Sequence, residues 1–411
     1  MDGPLVAPSL ARANAGLDWL NFFTANLQTA FGPFVAVYLT QQAWTQADIG
    51  LALGVGSIAA MAAQVPAGAL VDAIARKARA AGAAILAIIA GALTLALAPT
   101  MLPVLAAEIS HAFASCMLTP AIAAISLGVA GERPGAAGVR LGRNARFASI
   151  GNGTAAGLMA IVGWRLGPRA VFLLGAALAV PGLLALRGVA ERPAAGGGIH
   201  ADAQRPNLWP SLALLRDVRL RWFAACCALF HLSNAFMLPL AAGAATASLG
   251  NSATLVIGAC IVGPQIVVAA LSPSVGRGAE RWGRRPVLVA GMLALPLRGL
   301  ALAAVVGSDV LPAWLLIPVQ LLDGVSGAVF GVLMPLVASD ITRRTGRFNL
   351  CMGVLGLAVG AAAALSSLAG GWLAARSMRW ALVALAGAGG AGAIVAWLMP
   401  ETRPADGQAA A

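Results

Sequence analysis

The sequence predicts an all-α integral membrane protein, with twelve transmembrane helices in two pseudo-symmetric six-helix bundles. Three observations predict it. Of the 411 residues, 60% are hydrophobic and only 10% are charged, against about 25% charged in soluble domains, so lipid is the solvent. The apolar residues gather into twelve runs, each close to the ~20 residues that a helix needs to cross a ~30 Å hydrocarbon core. A short charged motif occurs twice, half a chain apart.

The runs lie at 15–39, 46–71, 80–98, 102–130, 143–163, 168–190, 220–246, 253–274, 286–306, 312–339, 349–374 and 380–399. Between the sixth and seventh lies the longest polar segment, 191–217, with AAGGG and Pro193, Pro206 and Pro210. That is linker composition. It divides the chain into an N-terminal half, 1–190, and a C-terminal half, 218–411, which ends in a short tail. The span prolines Pro33, Pro66, Pro120, Pro239, Pro264, Pro296 and Pro335 are expected to kink helices and free carbonyls. Met1 to Asn14 has no apolar core ahead of a small-residue cut site, so no cleavable signal is expected.

Charge placement gives orientation. Connections 39–46, 98–102, 246–253 and 306–312 carry no Arg or Lys, and two others carry one pair each, Arg165 with Arg169 and Arg376 with Arg379. The alternate connections hold Arg76, Lys77 and Arg79; Arg133 and Arg140; the linker arginines; Arg277, Arg281, Arg284 and Arg285; and Arg343, Arg344 and Arg347. The positive-inside rule puts these loops and both termini in the cytoplasm. Trp19, Trp44, Trp222, Trp282, Trp314 and Trp380 fall near predicted helix ends, as interfacial residues should. The Ala, Gly and Arg bias suggests a GC-rich bacterial genome, hence a bacterial inner membrane. The net charge of +12 sits in short loops between apolar runs, so it reads as topology and not as a nucleic-acid surface. Cys116, Cys226, Cys227, Cys260 and Cys351 have no metal-ligand spacing and read as small core residues. No metal or cofactor is expected. There is no GxxxxGK[ST] stretch, which argues against direct ATP drive.

The repeated motif is strongest at Gly276–Pro286, GRGAERWGRRP, read as a charged turn between two runs. A worn copy is GALVDAIARK. Gly68 matches Gly276, Asp72 matches Glu280, Arg76 matches Arg284 and Lys77 matches Arg285, each 208 positions apart (276 − 68 = 208). Arg281 and Gly283 complete the second copy; Ala73 and Ala75 stand in their places in the first. Ile49-Gly50 recurs as Ile257-Gly258 at the same spacing, and Pro103, Glu108 and Pro120 recur as Pro318, Asp323 and Pro335 at 215. Parallel repeats of six helices are the build of one large transporter group.

These residues and this topology resemble the major facilitator superfamily over nearly the whole chain. The resemblance implies that the two motif loops gate the cytoplasmic side, with Asp72 and Glu280 and the basic residues latching the halves in one state. It also implies that helices 1, 4, 7 and 10 line a central cavity. Drug/proton antiporters of the superfamily carry an Arg twelve residues before a helix-4 proline, where this chain has Glu108, and a Gly-Pro pair in helix 5, where it has Gly153-Thr154. Both departures weaken a multidrug-export reading.

Ionisable residues within the runs are costly and point to function or to pairing. Glu108, His111, Ser115 and Thr119 recur every three or four residues, on one helical face; Glu108 and His111 are close enough there to share a hydrogen bond. Asp323 and Ser326 repeat the start of this stripe. Asn21, Thr24 and Gln28 share a face of the first run, and His231 and Asn234 one of the seventh. Substrate coordination and proton coupling are one reading of these groups; a helix-helix hydrogen-bond network is the other. Arg298 is expected to pair with Asp323 at similar depth, which leaves Glu108 as the better proton carrier. Arg143, Asn144, Arg146, Arg347 and Asn349 open the fifth and eleventh runs as interfacial anchors, and Asp18 is placed at the interface too.

The expected function is secondary active transport of a small molecule by alternating access, proton-coupled, by a monomer in contact with lipid and with no enzymatic activity. An uncoupled uniporter or exporter of the same fold, or a transport-dead membrane receptor, are the alternatives.

Overall fold

The computed structural model describes residues 7–130, 136–189, 216–306, 308, 310–342 and 348–403. Fourteen α-helices lie among them: α1 (Ala7–Thr29), α2 (Pro33–Gln41), α3 (Gln46–Ala73), α4 (Lys77–Leu97), α5 (Met101–Ala130), α6 (Ala136–Leu166), α7 (Arg169–Gly188), α8 (Val218–Asn234), α9 (Met237–Leu249), α10 (Ala253–Trp282), α11 (Arg284–Val306), α12 (Leu316–Thr342), α13 (Phe348–Ala374) and α14 (Met378–Leu398). They form twelve crossings, because the first and seventh runs are each broken in two. The first break has Gly32 at φ +93°, a region that favours glycine, followed by Pro33, which has no N–H to continue α1. At the second, Pro239 removes the donor for the Ala235 carbonyl, and the Phe236 amide turns to Ser366 Oγ on α13 at 3.2 Å.

The helices alternate in direction, which defines two ends. The near end holds the start of α1, the α3–α4 and α10–α11 connections, and the end of α14. The far end holds the α2–α3, α9–α10 and α13–α14 connections. Leu86, Leu97, Ile266, Leu297 and Trp397 are each more than half exposed, which is the outer surface of a protein that faces lipid.

Nine stretches are long and apolar enough to cross a membrane by length and composition alone, one of them taking in α8, α9 and α10. Among the described residues, α1, the short α2 and α6 fall outside them. The two helices α1 and α6 share a polar cluster. Asp18 is buried between helices, and it accepts from Arg140 Nη2 and from Arg143 Nε at 2.9 Å. Arg140 Nε reaches Asn144 Oδ1 at 3.0 Å, and Asn144 Nδ2 reaches Ser126 Oγ at 2.7 Å. Buried between helices, these groups satisfy one another and lower the hydropathy of segments that still cross. Close backbone approach holds the pair together: a Cβ on Gly151 of α6 would lie 2.3 Å from the Phe22 carbonyl oxygen of α1.

The halves meet at the far end. One apolar core runs through the N-terminal half and on into Phe236, Met237, Leu240, Leu302 and Leu382, while a second, made of C-terminal-half residues alone, includes Phe223, Leu288, Leu333 and Ala396. Three helix pairs make the joint: α3 with α13, α6 with α10, and α2 with α9. Glycines bring them close. A Cβ on Gly50 would lie 2.4 Å from the Ser367 carbonyl oxygen, and one on Gly258 would lie 2.3 Å from Ala160 Cβ. Towards the near end the fit loosens. The same measure is 3.1 Å between Gly360 and Met61 and 3.4 Å between Gly356 and Gln64, and nothing lies within 4 Å of a Cβ on Gly153 or Gly157. At the far end, hydrogen bonds from Gln41 Nε2 to Asn251 Oδ1 (3.1 Å) and from Thr254 Oγ1 to the Ala160 carbonyl (3.1 Å) also cross the joint.

Candidate functional site: a central cavity between the halves

Below the far-end joint lies a cavity of about 950 Å³. Both broken helices contribute to its wall, with Phe31 and Gly32 from the first break and Asn234 and Ala235 from the second. A kink there is useful because it turns side chains and backbone carbonyls inward where a straight helix would close the space.

On the N-terminal side the wall is α5. Its predicted stripe, Glu108, His111, Ser115 and Thr119, lies along the cavity. The hydrogen bond that this spacing allows between Glu108 and His111 is not made. His111 Nε2 lies 3.3 Å from Ser115 Oγ, one turn further on, and its ring stacks on Phe31 with centroids 3.7 Å apart and planes 5° from parallel. That stack holds the imidazole away from the carboxyl. Glu108 is 5% exposed, and its Oε1 has no hydrogen-bond partner among the described residues. Gly56 of α3 makes room for it: a Cβ there would lie 2.8 Å from Glu108 Oε2.

The C-terminal side is built differently. Asp323 of α12 accepts from Arg298 Nη1 of α11 at 2.8 Å. Arg298 is 1% exposed. The same Nη1 donates to Asn234 Oδ1, and Nε donates to Gln320 Oε1 at 3.1 Å. So the guanidinium of α11 binds three side chains from two other helices: Asn234 of α8, and Gln320 and Asp323 of α12. Sequence reasoning missed Gln320, although it sits one helical turn before Asp323 and so shares its face. Asn21 and His231 are not in the cavity wall. Asn21 Nδ2 donates to the Leu17 carbonyl at 2.7 Å, and His231 Nδ1 lies 3.0 Å from the Cys227 carbonyl oxygen, so both serve their own helices. Gln28 does line it.

The repeated motif lies at the near end, and it is not a turn. α10 continues to Trp282 and α11 begins at Arg284; only Gly283, at φ +99°, separates them. Arg284 is buried. It pairs with Glu280 at 2.9 Å and with Asp340 of α12 at 2.9 Å, and it donates to the Ala279 carbonyl at 2.8 Å. The chain after α14 clamps this junction. The Glu401 carboxylate accepts from the backbone N–H groups of Arg284 (2.8 Å) and Arg285 (3.1 Å), the unsatisfied donors at the start of α11. Arg403 donates to the Glu280 and Arg281 carbonyls at the end of α10, at 2.6 and 3.2 Å. Burial pushes the Glu401 carboxyl upward, but its backbone N–H bonds outweigh that and hold it below the usual carboxylate range. Neither Glu401 nor Asp340 was singled out in the sequence; both reach the motif only through tertiary contact. In the first copy Gly68 lies in α3 and Lys77 opens α4, with Nζ 2.7 Å from the Val71 carbonyl. Arg76 precedes α4 and is exposed. The side chains of Asp72 and Asn349, all of Arg133, Arg343, Arg344 and Arg347, and nearly all of the linker lie outside the described residues.

Comparison with known proteins agrees with this architecture. The sequence profile of the Major Facilitator Superfamily matches residues 17–244 and 224–411. Two MFS-type transporters of Mycobacterium tuberculosis, from strains CDC 1551 and H37Rv, are each 36% identical over 420 residues, covering 99% of this chain and 97% of theirs. Among solved structures, the nucleoside transporter NupG superposes with a TM-score of 0.78 at 16% identity, covering 94% of this chain and 98% of its own. The peptide transporter POT, in complex with alafosfalin, gives 0.71 at 14%, covering 93% and 94%. At those identities the solved structures speak for the fold alone. With the family profile spanning both repeats and relatives matching from end to end, the chain belongs to the major facilitator superfamily.

Proposed function

We propose that this membrane transporter is a proton-coupled secondary carrier that moves a small molecule by alternating access in a bacterial inner membrane. The observation that carries the reading is the unpartnered, buried carboxyl of Glu108 in the wall of a cavity between two halves that touch closely at one end only. A transporter needs two discrete arrangements of its halves. Glycine-mediated joints at the far end and an open fit at the near end suit one of them. With the arginine-rich near end in the cytoplasm, as the positive-inside rule expects, this state faces inward.

In this reading the bundles 1–190 and 218–411 rock about the cavity, with 191–217 as their cytoplasmic link. Glu108 carries the proton. His111, Gln28, Asn234 and Asp323 meet the substrate, and Arg298 holds Asp323 and Asn234 in place. The near-end motifs gate: in the outward-facing state Asp72, Glu280 and the basic residues beside them close the cytoplasmic side. One chain encloses the whole cavity, which supports a monomer as the working unit.

Proteoliposomes holding the purified protein under an imposed pH gradient test this. Accumulation of a transported compound against its own gradient, abolished by a protonophore, is the expected result. Equilibration without accumulation would make the protein a uniporter, and specific binding without flux would make it a receptor.

A further inference from the structure

We infer that the cavity takes an organic cation bearing N–H donors and a flat apolar part, and that this cation and a proton exclude one another at Glu108. The inference rests on the transport reading of the cavity and adds the chemical class of its ligand.

The argument is one of charge and hydrogen-bonding capacity. The charged groups in the wall are Glu108, Arg298 and Asp323. Arg298 and Asp323 are paired at 2.8 Å, and the guanidinium is 1% exposed and also engaged with Asn234 and Gln320. It is poorly placed to meet an anion. What remains is a carboxyl with an oxygen that nothing among the described residues satisfies. A buried acceptor without a partner is costly, and a ligand ammonium or amidinium, or a proton, removes that cost. Ala235 lines the same cavity, and Pro239, four residues on, has no N–H to bond its carbonyl. The Phe31–His111 stack, in parallel register, lines the same space and offers an apolar, π-rich surface, which favours cations and flat rings.

Other titratable groups do not alter this balance. On α5 itself, His111 and Cys116 line the cavity. Of the helices packed on α5, α3 has only Asp48 at its far end and Asp72 near its other end. Lys77 and Arg79 of α4 lie at the near end, as do Arg12 and Asp18 of α1 and Arg140, Arg143 and Arg146 of α6, while Arg165 ends α6 at the far end. With a single unpaired carboxyl, an arriving cation displaces the proton that Glu108 holds, and a returning proton displaces the cation. The coupling is therefore exchange, with proton entry driving cation exit from the cell.

Carbodiimide labelling of Glu108, followed by mass spectrometry of the full-length protein, tests the class without a known substrate. The probes are phenethylammonium, benzamidinium and tetraphenylphosphonium, the last lacking N–H, with 2-phenylethanol and 3-phenylpropanoate as neutral and anionic counterparts. The N–H cations are expected to slow labelling of Glu108 and to release protons on binding. In Glu108→Gln their affinity, measured by thermal shift, should fall by roughly tenfold or more, as for loss of one partner of a buried charge pair. Protection by the neutral or anionic probes equal to that by the cations, by tetraphenylphosphonium alone, or by none of the probes, would overturn the assignment. Flux separates this from the transport reading: cations that bind but are not moved sink transport and leave the class standing, and a neutral compound moved equally by Glu108→Gln does the reverse.

Discussion

Glu108 and Asp323 hold matching places in the two halves, 215 positions apart and flanked by matching prolines, yet their surroundings are opposite. Asp323 is tied to Arg298, which also holds Asn234 and Gln320. Glu108 meets a glycine on one side and has an oxygen with no partner on the other. The near-end motifs differ in the same sense. Arg284 is pinned by Glu280 and Asp340 under a clamp from Glu401 and Arg403, whereas Arg76 is exposed and Lys77 reaches a backbone carbonyl. Duplication supplied two equivalent carboxyls; only one acquired a basic partner. A paired carboxylate braces helices, and an unpaired one can change its charge. The comparison teaches that repeat symmetry locates candidate groups, while the partner decides what each can do.

The largest effect should come from breaking the braced side. Arg298→Ala leaves Asp323 charged and Asn234 and Gln320 without their donor, so folded protein should fall, by about 3–5 kcal/mol for the broken buried pair. Arg298→Ala with Asp323→Ala should recover part of that. Thermal unfolding in detergent over the double-mutant cycle measures the coupling. Glu108→Gln removes no pair and should unfold at or above the wild-type temperature. A loss as large as that of Arg298→Ala would erase the distinction.

Two glycines beside the carboxyls sharpen it. A Cβ on Gly324, next to Asp323, would lie 2.6 Å from the Pro264 carbonyl oxygen on α10, a rigid backbone contact. Gly324→Ala should therefore cost stability, on the order of 1–3 kcal/mol for an overpacked site. A Cβ on Gly56 would meet the Glu108 side chain instead, tightest at its terminal Oε2 (2.8 Å). Gly56→Ala should leave unfolding nearly unchanged but alter the rate at which a carbodiimide labels Glu108. Equal destabilisation by the two would contradict the view that Glu108 has freedom to move.

The smallest effect concerns the clamp. Glu401 is held below the usual carboxylate range in the folded protein. Its contribution to stability is therefore present above the unfolded carboxylate value and lost as pH falls through the folded one. Glu401→Gln should lower the unfolding temperature at pH 7 and narrow the gap between wild type and variant in acid. An unchanged gap from pH 7 down to pH 3 would remove Glu401 from the account.

Much of this was legible because lipid forces it. Crossing segments must be apolar and helical, so the runs and their repeat stand out, as does the stripe from Glu108 to Thr119. The breaks at Gly32 and Phe236 were not, because a proline in a span marks a kink without saying whether the helix stops. Hydropathy also cannot tell lipid contact from burial between helices. It gave no sign that Arg140 and Arg143 hold Asp18 in a buried cluster, and it left the motif's second copy as a turn, when only Gly283 departs from helix. Gln320, Asp340 and Glu401 act through partners 22, 56 and 117 positions away, and no local pattern announces them.

The most direct test of the difference between the two carboxyls is proton-driven accumulation in proteoliposomes by Glu108→Gln and Asp323→Asn, each compared with wild type at equal reconstituted protein. The account predicts that Glu108→Gln loses accumulation down to the level of protein-free liposomes, while Asp323→Asn, whose partner Arg298 keeps Asn234 and Gln320, retains a measurable part of it. Full accumulation by Glu108→Gln, or its loss in Asp323→Asn alone, would contradict it.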